Sequence, residues 1–465
     1  HDVYFGTDRD AVANADASDT TGIYRGRQVS TSFSPAEVEM GGGPYYWRID
    51  EINNDGTITT GRVWNFSVTD YILVEDFESY NDIEAGQPDS NPVYSTWKDG
   101  VDNPNVNGST MGYFIPFEPT MESDRVHDGH QSAPMAYNNT TAPISEVTRT
   151  FAAQDWTGYG VQTLSLWFFG DVNNVPGQLY VKVNGVKVDY DGAAANLTVP
   201  AWHPWNIELA ALGVNLRSVT SMVVGMEGPF ARGTLLLDDI RLYPYPRELI
   251  TPVQPDPNGL VAQYAFEGNL NDSIGGHHGT ANGDPVYAPG KFDQAISLDG
   301  IDDYIVIGSV GISDVQPRTI AGWAKASILG TPAWVNVFGF TGPSGNNGHF
   351  DIELVGDSSS GGSTLGWYGL HVYGWQQDIL PIDFEWHHLA ASYDGMTLKW
   401  YGDGMLIGTE DRVINPPDNV HIGKREDNDN FFPGLVDDVR IYNRVLSDAE
   451  LAGLAGKTEP FDKGF

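Results

Sequence analysis

Alternation with a period of two marks the chain's best-patterned segments. In Tyr45-Tyr46-Trp47-Arg48-Ile49-Asp50 it puts Tyr45, Trp47 and Ile49 on one face and Tyr46, Arg48 and Asp50 on the other. Two alternating segments flank Asn184-Gly185, a two-residue hairpin turn, and Asn53-Asn54-Asp55-Gly56 forms another turn. Alternating runs of this kind bury a face only by pairing into sheets, and 54 glycines and 28 prolines supply the turns between them. The spacing predicts an all-β chain. Its one convincing helical piece runs from Ser447 to Leu454, where Ser447 and Glu450 form a capping box and Gly456 is placed to stop it.

With 465 residues the chain is too long for a single core and suits three tandem β-sandwich domains. The expected boundaries are 1–70, 71–247 and 258–465. Between the last two, Pro244, Pro246, Pro252, Pro255 and Pro257 crowd one stretch, so 248–257 reads as a stiff, extended linker. An internal echo connects the larger segments. Leu237-Asp238-Asp239-Ile240-Arg241-Leu242-Tyr243 and Val436-Asp437-Asp438-Val439-Arg440-Ile441-Tyr442 are nearly the same strand. Two readings stand for the paired acids at the start of each. They are solvated turn residues, or one Asp of each pair points inward onto an ion that offsets its desolvation.

The formal charge is -37, from 62 acidic and 25 basic residues. Such a field repels phosphate backbones, so no nucleic-acid partner is expected, and it attracts divalent cations while keeping the chain soluble. With no cysteine, disulfides, zinc–thiolate sites and thiol catalysis are excluded. No apolar run reaches the roughly 18 residues of a membrane span. The chain begins at His1 rather than Met, so any export signal is expected upstream.

The third segment carries Gly259-Leu260-Val261-Ala262-Gln263-Tyr264-Ala265-Phe266, Asn271-Asp272-Ser273, Gly290-Lys291-Phe292, Glu385-Trp386-His387-His388 and the 436–442 strand. In that order these motifs resemble the LamG-like, concanavalin A-like jelly rolls. The resemblance implies a two-sheet sandwich that binds glycans or extracellular proteins, with a structural Ca2+ on Asp272 and Asp437 or Asp438. The second segment resembles the carbohydrate-binding jelly rolls attached to bacterial glycanases, through Phe77-Glu78, Gly129-His130-Gln131-Ser132 and Asp238-Asp239. That likeness implies a second calcium clamp on Glu78 and Asp239. The first segment resembles the later strands of a fibronectin type III domain, with Tyr45 in the tyrosine-corner position. His1 to Asp8 then looks like strand C, and strands A and B are missing. An apolar face and an open edge would remain, left by truncation or completed by a neighbouring copy.

Catalysis is not expected. Laminarinase-type hydrolases place carboxylates as Glu-x-Asp-x-x-Glu on one strand; here Asp351 and Glu353 share a side, but His349 and Gly356 stand where the two glutamates belong. In the pairs His277-His278 and His387-His388, neighbours point to opposite faces, so His278 and His388 read as hydrogen-bonded core or turn residues. Trp334, Trp367, Tyr368, Tyr373 and Trp375 are the candidates for stacking on sugar rings, while Trp97, Trp156, Trp202 and Trp205 read as core. The function expected is non-catalytic adhesion or glycan binding at the cell surface or in the extracellular matrix. Two alternatives remain: a subunit of a filament or coat assembled through the first domain as a homo-oligomer, or an accessory fragment of a larger glycan-degrading enzyme.

Overall fold

Strands rich in Val, Tyr and Trp pair edge to edge, and the structure, a computed structural model, is all-β as the alternation predicts. It describes residues 1–112, 120–328, 335–342, 348–356, 366–372, 375–427 and 429–465. The chain forms two compact units, 1–248 together with 465, and 249–464. No described helix is long and apolar enough to cross a membrane.

The first unit begins with one five-stranded antiparallel sheet, in which Asp2–Gly6 lies between Tyr24–Arg27 and Tyr45–Ile52. The Tyr45 hydroxyl donates to the Glu37 carbonyl and accepts from the Glu39 amide, the bonding expected of a tyrosine corner. A short helix, Arg9–Asn14, went unseen in the alternation; Asp8 caps it by accepting from the amides of Asp10 and Ala11. This helix covers the face of the sheet that carries Arg48 and Asp50. Arg48, only 2% exposed, lies against Tyr4 and donates to the carbonyls of Val12, Ala13 and Ala15 at the helix end and to Asp50. On the other face Phe5 stacks on Tyr45, and the segment from Gln28 to Pro35 leaves a groove of about 550 Å³ beside Val3, Phe33, Trp47, Ile49 and Phe66. Val3 and Phe5 are 2% exposed, so the face expected to be open is narrowed to a groove.

A sandwich of a five-stranded and a six-stranded sheet follows. Its core holds Trp97, Trp156 and Trp205, as expected. Each such ring removes roughly 150–250 Å² from water, worth about 4–6 kcal/mol before entropy. The strand Ile72–Glu75 pairs with Arg232–Tyr243, so the first and last strands of this sandwich meet.

The second unit packs an eight-stranded sheet on a seven-stranded one across a single large core. In the seven-stranded sheet Val335–Phe340, Phe350–Gly356, Gly366–Val372 and Trp375–Pro381 are successive neighbours. The capping box on Asp448–Leu454 is present in full. The proline-rich stretch is not a free linker. Leu249–Ile250 pairs with Phe461–Asp462, Val253 donates to the Ala449 carbonyl, and Asp256 donates to Glu450. Prolines deprive the stretch of some amides, but those of Val253 and Asp256 find acceptors on the second unit's helix. Gly453 permits the approach, since a Cβ there would stand 2.0 Å from the Val253 oxygen.

Candidate functional site

The two Asp-Asp strands carry the same device. Neither pair lies at a solvated strand entrance; both sit within long strands, Arg232–Tyr243 and Pro433–Tyr442, at β-bulges opposite Trp167 and Trp323. The second acid of each pair takes a left-handed conformation, φ 45° at Asp239 and 42° at Asp438, which turns the first acid inward. Asp238 and Asp437 are 0% exposed, and Asp239 is buried as well, at 1%. Each accepts an amide from a neighbouring loop, His127 for Asp238 and Phe292 for Asp437. Burial, with the adjacent acids, pushes the Asp238 carboxyl up to about 8 and that of Asp437 up to about 6.

These contacts revise the calcium ligands inferred from resemblance. Asp239 pairs with Arg241 at 2.5 Å and His127 at 2.6 Å, and Asp438 pairs with Arg440 and accepts from Gln263. Asp272 accepts four amides, from Gln263, Ile274, Gly275 and His277; although burial opposes ionisation, those donors hold its carboxyl below the usual range. Asp239 and Asp438 already hold a guanidinium, and Asp272 is taken up by four amides. Glu78 with Asp238, and Glu267 with Asp437, accept amides but pair with no cationic side chain among the described residues, and are the oxygen donors that remain. Each Glu follows a phenylalanine with positive φ, 58° at Phe77 and 53° at Phe266, and each reaches the loop that its Asp reaches. Gly290 leaves room at that point, because a Cβ there would lie 2.6 Å from the Phe292 carbonyl oxygen and 2.7 Å from Asp437 Oδ2. Two carboxylates and a carbonyl beside a glycine are hard oxygen ligands of the kind calcium takes. Glu267 was missed in the sequence, although Phe266-Glu267 repeats Phe77-Glu78.

The two histidines at 387 and 388 face opposite ways, as adjacent strand residues must. His388 lies in the interior against Trp323, where burial pushes it down to about 4. Burial also opposes charge on His387, but Asp383 at 2.8 Å and Asp403 at 2.9 Å push it up to about 10. A folded-state value above the unfolded one of about 6.5 stabilises the fold fully below pH 6.5, and that contribution is lost as pH climbs towards 10. His387→Gln should cost roughly 2–4 kcal/mol at pH 6.5 by urea unfolding, with the deficit shrinking steadily by pH 10. A deficit that does not change with pH would show that His387 is neutral. His278 accepts from the Asp272 amide, a turn contact as expected.

On the seven-stranded sheet, Phe350, Ile352 and Leu354 enter the core, so His349, Asp351 and Glu353 project from the outer face. His371, directly across from Asp351, joins them, and all four are at most 2% exposed. Arg425 donates to Glu353, to Asp427 and towards His349. Burial and the adjacent Asp351 push the Glu353 carboxyl well above its ordinary range. Asp351 and Glu353 thus share a side, as their spacing predicts.

Of the aromatic candidates among the described residues, Trp367 alone stands half-buried on that outer face, across from Pro381 on the strand that also carries Gln376 and Asp378. Tyr368 is 0% exposed and its hydroxyl accepts from the Ala326 amide. Trp375 packs against the core, edge-on to Trp400. Trp334 and Tyr373 lie outside the described residues. In the second sandwich Trp202 is not core: it meets His127 and Phe169 on the outside, where His127 stacks on Trp167 at 3.8 Å. Parity in a strand foretells this, since Trp202 and Trp205 are three residues apart and face opposite ways.

Residues 299–452, about a third of the chain, match the family Laminin_G_3, described as the concanavalin A-like lectin/glucanases superfamily. No curated protein matches the chain. Among solved structures, domain 4 of AbnA, a GH43 extracellular arabinanase from Geobacillus stearothermophilus, in complex with arabinotriose, is similar at 26% identity and a TM-score of 0.34, covering 42% of this chain and 98% of that one. The binding domain of Paraclostridial Mosquitocidal Protein 1 is similar at 15% identity and a TM-score of 0.33, covering 43% of this chain and 52% of that one. The binding domain of Botulinum neurotoxin DC in complex with rat synaptotagmin II is similar at 12% identity and a TM-score of 0.33, covering 44% and 53%. The chain spans about half the length of the two toxin domains. The segment 299–452 is therefore similar in sequence to the concanavalin A-like lectin/glucanases superfamily.

Proposed function

We propose that this chain is a non-catalytic glycan-binding protein that works in adhesion at the cell surface or in the extracellular matrix. The observation that carries the reading is Trp367, a half-buried indole on the outer sheet face of the lectin-like part, directly across from Pro381, with exposed Asp378 further along the neighbouring strand opposite Gly369 and Gln376 beyond it opposite His371. An indole face stacks on the C–H face of a sugar, and neighbouring amide and carboxylate groups take its hydroxyls. Catalysis is disfavoured by burial. Asp351 and Glu353 are 0% exposed and Glu353 is held by Arg425, so neither has room to act on a glycosidic bond.

Calcium enters this reading as a structural ion, held by Glu78 with Asp238 and by Glu267 with Asp437. When bound, it neutralises the inward carboxylates and ties a terminal strand to the loop beside it. The test of function is an array of soluble and insoluble polysaccharides, arabinan among them, probed with the full chain in calcium. Selective retention on one polymer class is expected; silence across the array would remove the glycan reading.

The groove beside Val3, Trp47, Ile49 and Phe66 favours a second reading, in which a strand from another copy completes the first sheet and builds a filament or coat. Electron microscopy of material from the native source would show polymers if that holds and single particles if it does not.

A further inference from the structure

The buried polar cluster on the outer face of the seven-stranded sheet has no part in the glycan reading, and its composition asks for a ligand. Asp351, Glu353 and His371 each offer one donor atom within 4.8 Å of the others, and all three are buried. His371 Nδ1 stands 3.5 Å from Asp351 Oδ1 and 3.6 Å from Glu353 Oε1. A tetrahedral ion with bonds of about 2.0–2.2 Å separates its ligand atoms by about 3.3–3.6 Å, so the spacing needs almost no adjustment.

The hydrogen bonding is incomplete in the same direction. Among the described residues neither oxygen of Asp351, nor Oε2 of Glu353, has a hydrogen bond of ordinary geometry, His371 standing 3.5 Å from Asp351, although both residues are 0% exposed. Asn336, the cross-strand neighbour of Glu353, likewise has a buried Oδ1 without a donor. A carboxylate in the interior normally gathers amides, as Asp272 does; Asp351 has none. Charge points the same way. Three carboxylates, Asp351, Glu353 and Asp427, share one guanidinium, Arg425, and burial with Asp351 drives Glu353 towards its protonated form, a proton that a bound cation would displace.

We infer that Asp351, Glu353 and His371 form a binding site for a divalent first-row transition-metal ion, separate from the calcium clamps. An imidazole with two carboxylates suits zinc or manganese better than calcium, whose ligands are oxygens throughout. The guanidinium of Arg425 on Glu353 then acts as the outer support that orients a ligand.

Cobalt(II) tests the site directly. Full-length chain, stripped with chelator and dialysed into calcium, is titrated with Co2+ while visible d–d absorption is recorded. One equivalent with a low-symmetry spectrum is expected, and Zn2+ should abolish the signal while Ca2+ should not. His371→Gln and Glu353→Gln should each weaken Co2+ binding at least tenfold. Absence of a stoichiometric signal in the parent chain overturns the site, whatever the variants do. A signal that survives both variants assigns the ion elsewhere and overturns it equally. Because no sugar is involved, a silent polysaccharide array leaves this outcome untouched.

Discussion

Chelating calcium should lower the melting temperature of the parent chain by about 5–10 °C, and Asp437→Asn together with Asp238→Asn should remove that dependence. The magnitude follows from linkage: an ion present at about 100 times its dissociation constant adds roughly 2.7 kcal/mol, and for parts of 150–250 residues each kcal/mol is worth about 2–4 °C. The reason lies in the two inward aspartates. Asp238 and Asp437 are raised to about 8 and about 6 by burial and like charge. A carboxyl raised above its unfolded value of about 3.9 imposes no penalty in acid, and its cost grows as pH rises towards the folded value. Without calcium, stability should therefore fall between pH 4 and pH 8; with calcium, the fall should largely vanish. Asp239→Asn and Asp272→Asn should leave the chelator response intact, since Arg241 and backbone amides already occupy those carboxylates. Scanning calorimetry with and without chelator reads the double variant and the two single ones. An unchanged parent melting temperature removes the clamps.

Arg48→Met should cost about 3–5 kcal/mol and unfold the first sheet ahead of the rest. The guanidinium is buried between the sheet and the helix Arg9–Asn14, where it supplies donors to three helix-end carbonyls and to Asp50. Methionine fills much of the volume but strands Asp50, 4% exposed, without its cation. The carbonyls of Val12, Ala13 and Ala15 lose their partner too, each at about 1–3 kcal/mol if water cannot reach it. Hydrogen exchange of the Asp2–Gly6 and Tyr45–Ile52 amides reports this local opening separately from global unfolding. Protection equal to that of the parent would show that the helix docks without Arg48.

What could be read in advance was set by local periodicity. Alternation placed Tyr45, Trp47 and Ile49 on one face, and the capping box fixed the helix Asp448–Leu454; both are properties of neighbouring residues. What escaped depended on long-range partners. That Arg48 and Asp50 are buried could not be read, because the six-residue helix that covers them has almost no apolar stripe, only Val12 being buried. Asp238 and Asp239 looked equivalent because a bulge, invisible in alternation, decides which one turns inward. Glu267 carried a legible signal in its repeat of Phe77-Glu78, whereas the meeting of Asp351, Glu353, His371 and Arg425 draws on positions up to 74 residues apart and on strand register. Tyr368 and Trp375 share the polar, glycine-rich neighbourhood of Trp367, and only the pleat separates platform from core.

The measurement closest to the central claim is a calorimetric titration of Trp367→Ala against the parent chain, using the polysaccharide that the array selects. Loss of one stacked indole should weaken binding at least tenfold, about 1.4 kcal/mol, with melting temperature and calcium response unchanged. Binding as tight as the parent's would mean that the outer face of the seven-stranded sheet is not where sugars are held.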